Sequence, residues 1–238
     1  MNTLVLAAHG SRDPRSGANA EAVADRLSRM RPDLDVRLAF LELNTPNFVD
    51  VLAGLPDSRR AVVTPFLLAS AYHARLDIPQ QIADAGARGI QQADVLGEDD
   101  RLVSVLRERL AEVGVSPHDD ALGVMVVAIG SSNLAANART AKVAPRLAAG
   151  THWAAATTAF ATRPEASVAR AAEQLRRRGA RRLVIAPWFL APGFITDGVS
   201  KFARDNDIPM AAPLGSHRLV AETVLDRYDQ ALADDAAA

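Results

Sequence analysis

The sequence predicts an α/β protein of two similar domains, each a parallel sheet covered by helices. Three observations carry this. Short apolar runs alternate with amphipathic helical stretches, the runs are apolar on both faces rather than at every second position, and the pattern is written twice. A strand without polar alternation must be covered on both faces, and helices between successive strands supply the cover in a parallel sheet.

The elements of the first copy follow in order. "LVLAA" (4–8) is the first strand and runs into "HGSRD". Apolar residues spaced three and four apart predict a helix from Ala18 to Arg31. "VRLAFLE" (36–42) is the second strand, and a short helix follows Pro46. "AVVTPFLLA" (61–69) is the third strand, with a helical segment around 77–87 after it. A helix from Asp99 to Val113 closes the unit. "GVSPHDDALG" (114–123) is the expected linker, rich in turn formers and charge. The domains are therefore expected at 1–117 and 118–238.

The repeat shows residue by residue. At a spacing of 120, Gly10, Ser11, Val23, Ala24, Arg26, Leu27 and Phe40 recur as Gly130, Ser131, Val143, Ala144, Arg146, Leu147 and Phe160. With small gaps, "RAVVTPFLLA" matches "RLVIAPWFLA", with Pro65 on Pro187, and "VLGEDDRLVSVL" matches "PLGSHRLVAETVL". A period this long means duplicated domains and not a solenoid.

Composition excludes several function classes. The 238 residues include no cysteine, which removes disulfides, thiolate metal sites and thiol nucleophiles. The formal net charge of −1 argues against a general nucleic-acid binder. The N-terminus lacks the basic segment and long apolar run of a secretory signal, and no stretch has the length of a membrane span, so a cytoplasmic protein is expected. There is no G-x-S-x-G elbow, no Walker A motif and no G-x-G-x-x-G after the first strand, which leaves hydrolase, nucleotide and dinucleotide readings without their motifs.

Three proton-active residues fall at strand ends in the first copy. His9 ends the first strand, Glu42 ends the second, and His73 follows the third in "YHARLDIP". Right-handed crossovers bring the C-terminal ends of parallel strands to one edge, where open α/β sheets bind ligands. Two imidazoles and a carboxylate suit a borderline divalent metal such as Fe²⁺, Co²⁺ or Ni²⁺. Three ligands are one short of a tight structural zinc site, and an open site suits a metal that passes through. A histidine oriented by a carboxylate is also a proton acceptor near neutral pH. The other histidines read as structural: His118 solvated in the linker, His152 at a strand entrance, His217 as a helix cap. The "RRRGARR" run (176–182) reads as a solvated helix end.

With "HGSRDPR", Glu42 in "FLELNTP" and His73 in "YHARLDIP" in order along the chain, the sequence resembles the sirohydrochlorin chelatases of the CbiX/SirB type, ATP-independent class II chelatases, in their long two-domain form. The resemblance covers essentially the whole chain; one departure is Ala71, where relatives often carry glycine. It implies two Rossmann-like domains facing each other across a cleft that takes sirohydrochlorin, and insertion of Fe²⁺ to form sirohaem. Some relatives insert Co²⁺ or Ni²⁺ instead.

His9 and His73 would hold the metal and take pyrrole protons, and Glu42 would orient an imidazole or relay a proton. Arg12, Arg15 and Arg75, with Ser11, Ser131, Ser132 and Asn133, are candidates for the tetrapyrrole carboxylates. No tightly bound cofactor is implied; the metal is a substrate. Duplication points to a monomer holding its pseudo-dimer within one chain. In the second copy, Ile129 stands for His9, Ile195 for His73 and Thr162 for Glu42, so the trio is lost together. The alternatives are a cobaltochelatase of the same kind and, from another class, a tetrapyrrole or metal carrier. Retention of the full trio in the first copy favours the enzyme.

Overall fold

The computed structural model describes residues 2–56, 60–69, 73–87, 89–161 and 164–237; the side chains of 73, 164–166 and 235–237 lie outside the described set. Contacts divide the chain into two compact units, residues 1–97 with 216–238 and residues 98–215.

The first unit holds a four-stranded sheet of order β2-β1-β3-β4, with β1 Thr3–Ala8, β2 Asp35–Phe40, β3 Ala61–Pro65 and β4 Ile90–Gln92. Every neighbouring pair is parallel. All of β1 and β3 is buried, as uniformly apolar strands require. The chain moves from β1 to β2 on one side and then crosses to β3 on the other, so the strand order reverses at β1. The crevice beyond the C-terminal ends at such a reversal is where doubly wound sheets take ligands.

Helix α1 (Pro14–Met30) begins four residues ahead of the expected start at Ala18. Asp13 caps it by accepting from the Arg15 N–H, and Pro14 occupies the first turn, where a missing N–H is harmless. Its inward stripe is Gly17, Ala20, Val23 and Leu27. Beyond β2 lies α2 (Phe48–Ala53), capped by the Asn47 side chain. The third strand stops at Pro65, short of Ala69, and the chain then makes a π-helical turn at His73–Asp77 that leads into α3 (Ile78–Asp84). The three-residue β4 is too short to carry a sequence signal.

The second unit has order β6-β5-β7, with β5 Leu122–Ala128, β6 Ala155–Phe160 and β7 Arg182–Trp188, again all parallel. Its counterpart to β4 is a single bridge between Ile185 and Met210. Helices α5 (Leu134–Thr140), α6 (Val143–Ala148), α7 (Pro164–Arg177) and α8 (Phe194–Asp205) complete it, around a core that includes Met125, Val127, Val168, Leu175, Ile185 and Val199.

The closing helices are exchanged relative to the sequence repeats. Helix α4 (Asp100–Glu112), which ends the first repeat, packs on β7 and α6 of the second unit. Helix α9 (Arg218–Ala237), which ends the second repeat, packs on β3 and α1 of the first. The same arginine secures each exchange. Arg109 on α4 donates to the carbonyls of Pro213 (3.2 Å) and Leu214 (3.3 Å). Its repeat counterpart Arg227 on α9 donates to those of Val95 (3.1 Å) and Leu96 (3.0 Å). Val220, Ala221, Val224 and Tyr228 of α9 are fully buried; a large apolar side chain so placed is worth about 1.5–3 kcal/mol. The packed unit therefore differs from the sequence repeat by one helix.

Candidate active site at the strand ends

In the first unit the site is assembled by the turns that leave β1 and β2. Because Ala8 pairs with Phe40, the two chains emerge side by side, and the Glu42 N–H donates to the His9 carbonyl at 3.1 Å. Gly10 has φ +96, and a Cβ there would stand 1.8 Å from the Glu42 carbonyl oxygen. Only glycine permits this approach. The Ser11 N–H then donates to Asn44 Oδ1 (2.6 Å), fastening the turn after β1 to the turn after β2.

That fastening sets His9 Nδ1 3.3 Å from Glu42 Oε1, with the imidazole side chain 41% exposed and the carboxylate side chain 50%. This is a close charge contact without the alignment of a good hydrogen bond. The Nδ1 atom itself is buried, so the ring's exposure belongs to its remaining atoms. The carboxylate on the Nδ1 side leaves Nε2 as the ring nitrogen turned away from Glu42.

The neighbouring candidates divide into two groups. Arg15 is bound to Asp13 through two bonds, Nε to Oδ1 at 2.9 Å and Nη2 to Oδ2 at 2.6 Å. Asp13 is buried, and the bound guanidinium holds its carboxyl below the ordinary carboxylate value. Ser11 accepts from the Asp13 N–H through its hydroxyl (3.0 Å), so it builds the turn. Arg12, by contrast, is exposed on the loop after β1, and Arg75 is exposed on the π-helical turn after β3. That turn is tied to β4 by Gln92, which donates to the Ala74 carbonyl at 2.7 Å. The His73 backbone opens the turn, while its side chain, and Ala71, lie outside the described residues. Among the described residues no three His, Asp or Glu side chains gather around a common point.

The second unit repeats the framework without the chemistry. Gly130 has φ +88 and faces Phe160. The Ser131 N–H donates to an asparagine oxygen, here Asn137 Oδ1 at 2.8 Å, and the Ser131 hydroxyl accepts from the Asn133 N–H at 3.1 Å. Asn133 caps α5 as Asp13 caps α1. Ser131 and Asn133 thus build a turn, and Ser132 alone of the three is exposed. The pairing of Ala128 with Phe160 repeats that of Ala8 with Phe40; by sequence count Thr162, outside the described residues, takes the position of Glu42. Pro187 pairs as Pro65 does, and counting along the sequence from these two puts Ile195 at the position of His73.

Of the other histidines, His217 caps α9, its Nδ1 accepting from the Leu219 N–H at 3.2 Å. His118 and His152 are both exposed and their rings meet edge to face, 5.2 Å between centroids. Sequence reasoning missed Asn44 and the buried Asp13. The turn formers in "LNTP" mark a loop for Asn44, and Asp before Pro is a capping signal that could have revealed Asp13.

A profile of the CbiX family matches residues 3–113 and again 123–231. The chain belongs to the CbiX family. The chain is 27% identical over 210 residues to a sirohydrochlorin ferrochelatase of Priestia megaterium, covering 84% of this chain and 77% of the relative. It is also 27% identical over 255 residues to a sirohydrochlorin cobaltochelatase of the same organism, covering 98% of this chain and 80% of the relative. The fold is that of SirB from Bacillus subtilis, solved with Fe³⁺, at a TM-score of 0.80 and 21% identity over 100% of this chain and 98% of that one. The double match follows the sequence repeats and ends the first copy at the close of α4, so the family's sequence unit includes the helix that packs away from it. No helix among the described residues is long and apolar enough to cross a membrane.

Proposed function

We propose that this protein inserts a divalent metal ion into sirohydrochlorin without ATP, acting as a ferrochelatase that forms sirohaem. The observation that carries the reading is the His9–Glu42 pair at the reversal point of the first sheet, held by Gly10 and Asn44, in a chain that matches the CbiX family over both repeats. Insertion requires the ring to lose two pyrrole protons while the metal sheds its water. In the proposed mechanism, Glu42 on Nδ1 supports His9 as metal ligand and proton acceptor through Nε2. His73, on the turn after the neighbouring strand, supplies the second imidazole. Arg12 and Arg75 are the exposed cations for the carboxylate-rich rim of the substrate, each charge-assisted bond worth about 1.5–3 kcal/mol where water is excluded. Arg15 acts at one remove, by neutralising the buried Asp13 that starts α1.

The two relatives from Priestia megaterium, one named for iron and one for cobalt, are each 27% identical to this chain, which makes cobalt insertion the second reading. Nitrogen and oxygen ligands bind the later divalent metals in a fixed order of affinity, so supply and insertion rate decide between Fe²⁺, Co²⁺ and Ni²⁺. Anaerobic metallation of sirohydrochlorin with Fe²⁺ and Co²⁺ in competition, followed by absorbance, tests both. Faster turnover with Fe²⁺ supports the first reading and faster turnover with Co²⁺ the second. Binding of sirohydrochlorin without acceleration of either reaction would leave a carrier.

A further inference from the structure

Two histidines of the second unit stand side by side and take no part in the site described above. His118 lies on the segment between α4 and β5, and His152 on the segment between α6 and β6. Each precedes its strand by a few residues. Both therefore lie at the N-terminal ends of β5 and β6, the edge opposite the turn at Gly130. Both residues are exposed, and their ring centres are 5.2 Å apart with 65° between the ring planes. Among the described residues neither ring takes part in a hydrogen bond or an ion pair.

Backbone bonding, and not contact between the rings, makes them neighbours. The His152 N–H donates to the Pro117 carbonyl at 2.7 Å, and the Trp153 indole N–H donates to the Ser116 carbonyl at 2.9 Å. The Ser116 hydroxyl accepts from the His118 N–H at 3.2 Å. Asp119, the next residue, is anchored in turn: its carboxylate accepts from the Ala121 N–H at 3.1 Å and pairs with Arg182 of β7 at 2.6 Å. Residues 116–119 are thus fastened to the entrances of β6 and β7. A ligand that needs both imidazoles finds their backbones already placed, which lowers the ordering cost of binding.

The spacing points to what that ligand is. An imidazole nitrogen binds a zinc-like ion at about 2.0–2.1 Å, which puts the ring centre about 3.2 Å from the ion. Two imidazoles on one ion, at an angle of about 90° to 110°, then have centres roughly 4.5–5.3 Å apart. The 5.2 Å between His118 and His152 falls in that range. We propose that His118 and His152 form a second metal site, which takes one borderline divalent ion such as Ni²⁺, Co²⁺, Cu²⁺ or Zn²⁺ through one nitrogen of each ring, aimed by rotation of the two exposed side chains. Imidazole suits these ions, whereas Mg²⁺ and Ca²⁺ want oxygen ligands. No third histidine or carboxylate joins the pair among the described residues, and Asp119 is held by Arg182. Water therefore fills the remaining positions, so the ion is open and exchangeable. Bound there, it links the connection between the two sequence repeats to the entrance of β6.

The test uses Ni²⁺ as probe and the full, untagged chain carrying His9→Ala and His73→Ala, which removes the candidate metal ligands of the first unit. Circular dichroism and the melting temperature establish that each variant is folded, and calorimetric titration with equilibrium dialysis reads binding. The expected result is one Ni²⁺ per chain. His118→Gln and His152→Gln should each weaken it by about 10-fold or more, because one imidazole is not a chelate, and the two together should abolish it. A chain that keeps both histidines yet binds no Ni²⁺ would overturn the inference. So would binding that depends on only one of the two, or that persists when both are replaced. No tetrapyrrole enters the assay, so its outcome is independent of the sirohydrochlorin reading.

Discussion

The turns after β1 and β5 share the kinds of bonds that close them and differ in their chemistry. Both put glycine at positive φ, both donate a serine N–H to an asparagine oxygen, and both use the serine hydroxyl to start the next helix. One delivers an imidazole beside a carboxylate and the other an exposed isoleucine. The scaffold of a strand-end site is therefore separable from its reactive groups. The closed turn is common to both sheet edges, whereas the imidazole stands on one of them.

The comparison is most open to test through the exchanged helices. Residues 1–117 alone would keep α4 but lose α9, exposing β3 and the inward stripe of α1. The expected outcome is no cooperative unfolding transition in urea or heat, whereas the full chain shows one; a fragment with a sharp transition would mean that α4 can fold back onto its own repeat.

Second in size is a transplant. His9→Ile should lower metallation by about 100-fold or more, in the range of a lost acid–base group. Adding Ile129→His to that variant should restore nothing, because Ile195 and Thr162 stand where His73 and Glu42 would be needed. Recovered turnover in the double variant would show that the second unit is still competent, and the asymmetry argued above would be wrong.

The paired glycines give a smaller, graded difference. Gly10→Ala drives a Cβ into the Glu42 carbonyl at 1.8 Å and adds strain at φ +96. Gly130→Ala meets the Phe160 side chain at 3.0 Å with similar backbone strain. Urea titration should show about 3 kcal/mol or more lost at position 10 and about 1–2 kcal/mol at position 130. Metallation should fall only for Gly10→Ala, because only that substitution displaces Glu42.

The smallest effect concerns the caps, where Asp13 titrates and Asn133 does not. Arg15 holds the Asp13 carboxyl below its ordinary value. The stabilisation from this pair is therefore fully present above the unfolded value of about 4 and is lost as pH falls through the lower folded value. Asp13→Asn, which copies the second unit, should flatten the stability profile below about pH 4 and leave it unchanged in shape near neutrality. An unaltered acid limb in chemical denaturation would remove Asp13 from the account.

Much of the fold was legible because burial writes itself into the sequence. Uniformly apolar runs at β1, β3 and β5 could only be central strands, and glycine–serine turns after two of them marked the duplication. The start of α1 was not, because "SRDPRSG" has the composition of a loop. Its Gly17 is buried within the helix beside the Asn44 side chain, and Pro14 is harmless in the first turn. Of the site, His9 and Glu42 were readable as residues at adjacent strand ends. The fixed use of Arg15, Ser11, Ser131 and Asn133 in local bonds was not, since a polar side chain's partner depends on the turn it stands in.

What the sequence determined by itself was the two-copy α/β architecture and the retention of His9, Glu42 and His73 in one copy only, because strand patterning and residue identity are local. The tertiary structure alone decided which closing helix covers which sheet and how Gly10 lets the Glu42 carbonyl approach so that His9 meets its carboxylate. The apolar residues of α4 and α9 do not specify which sheet they cover, so local pattern cannot choose between them. Long-range packing, with Arg109 and Arg227 closing on carbonyls more than a hundred residues away, makes the choice.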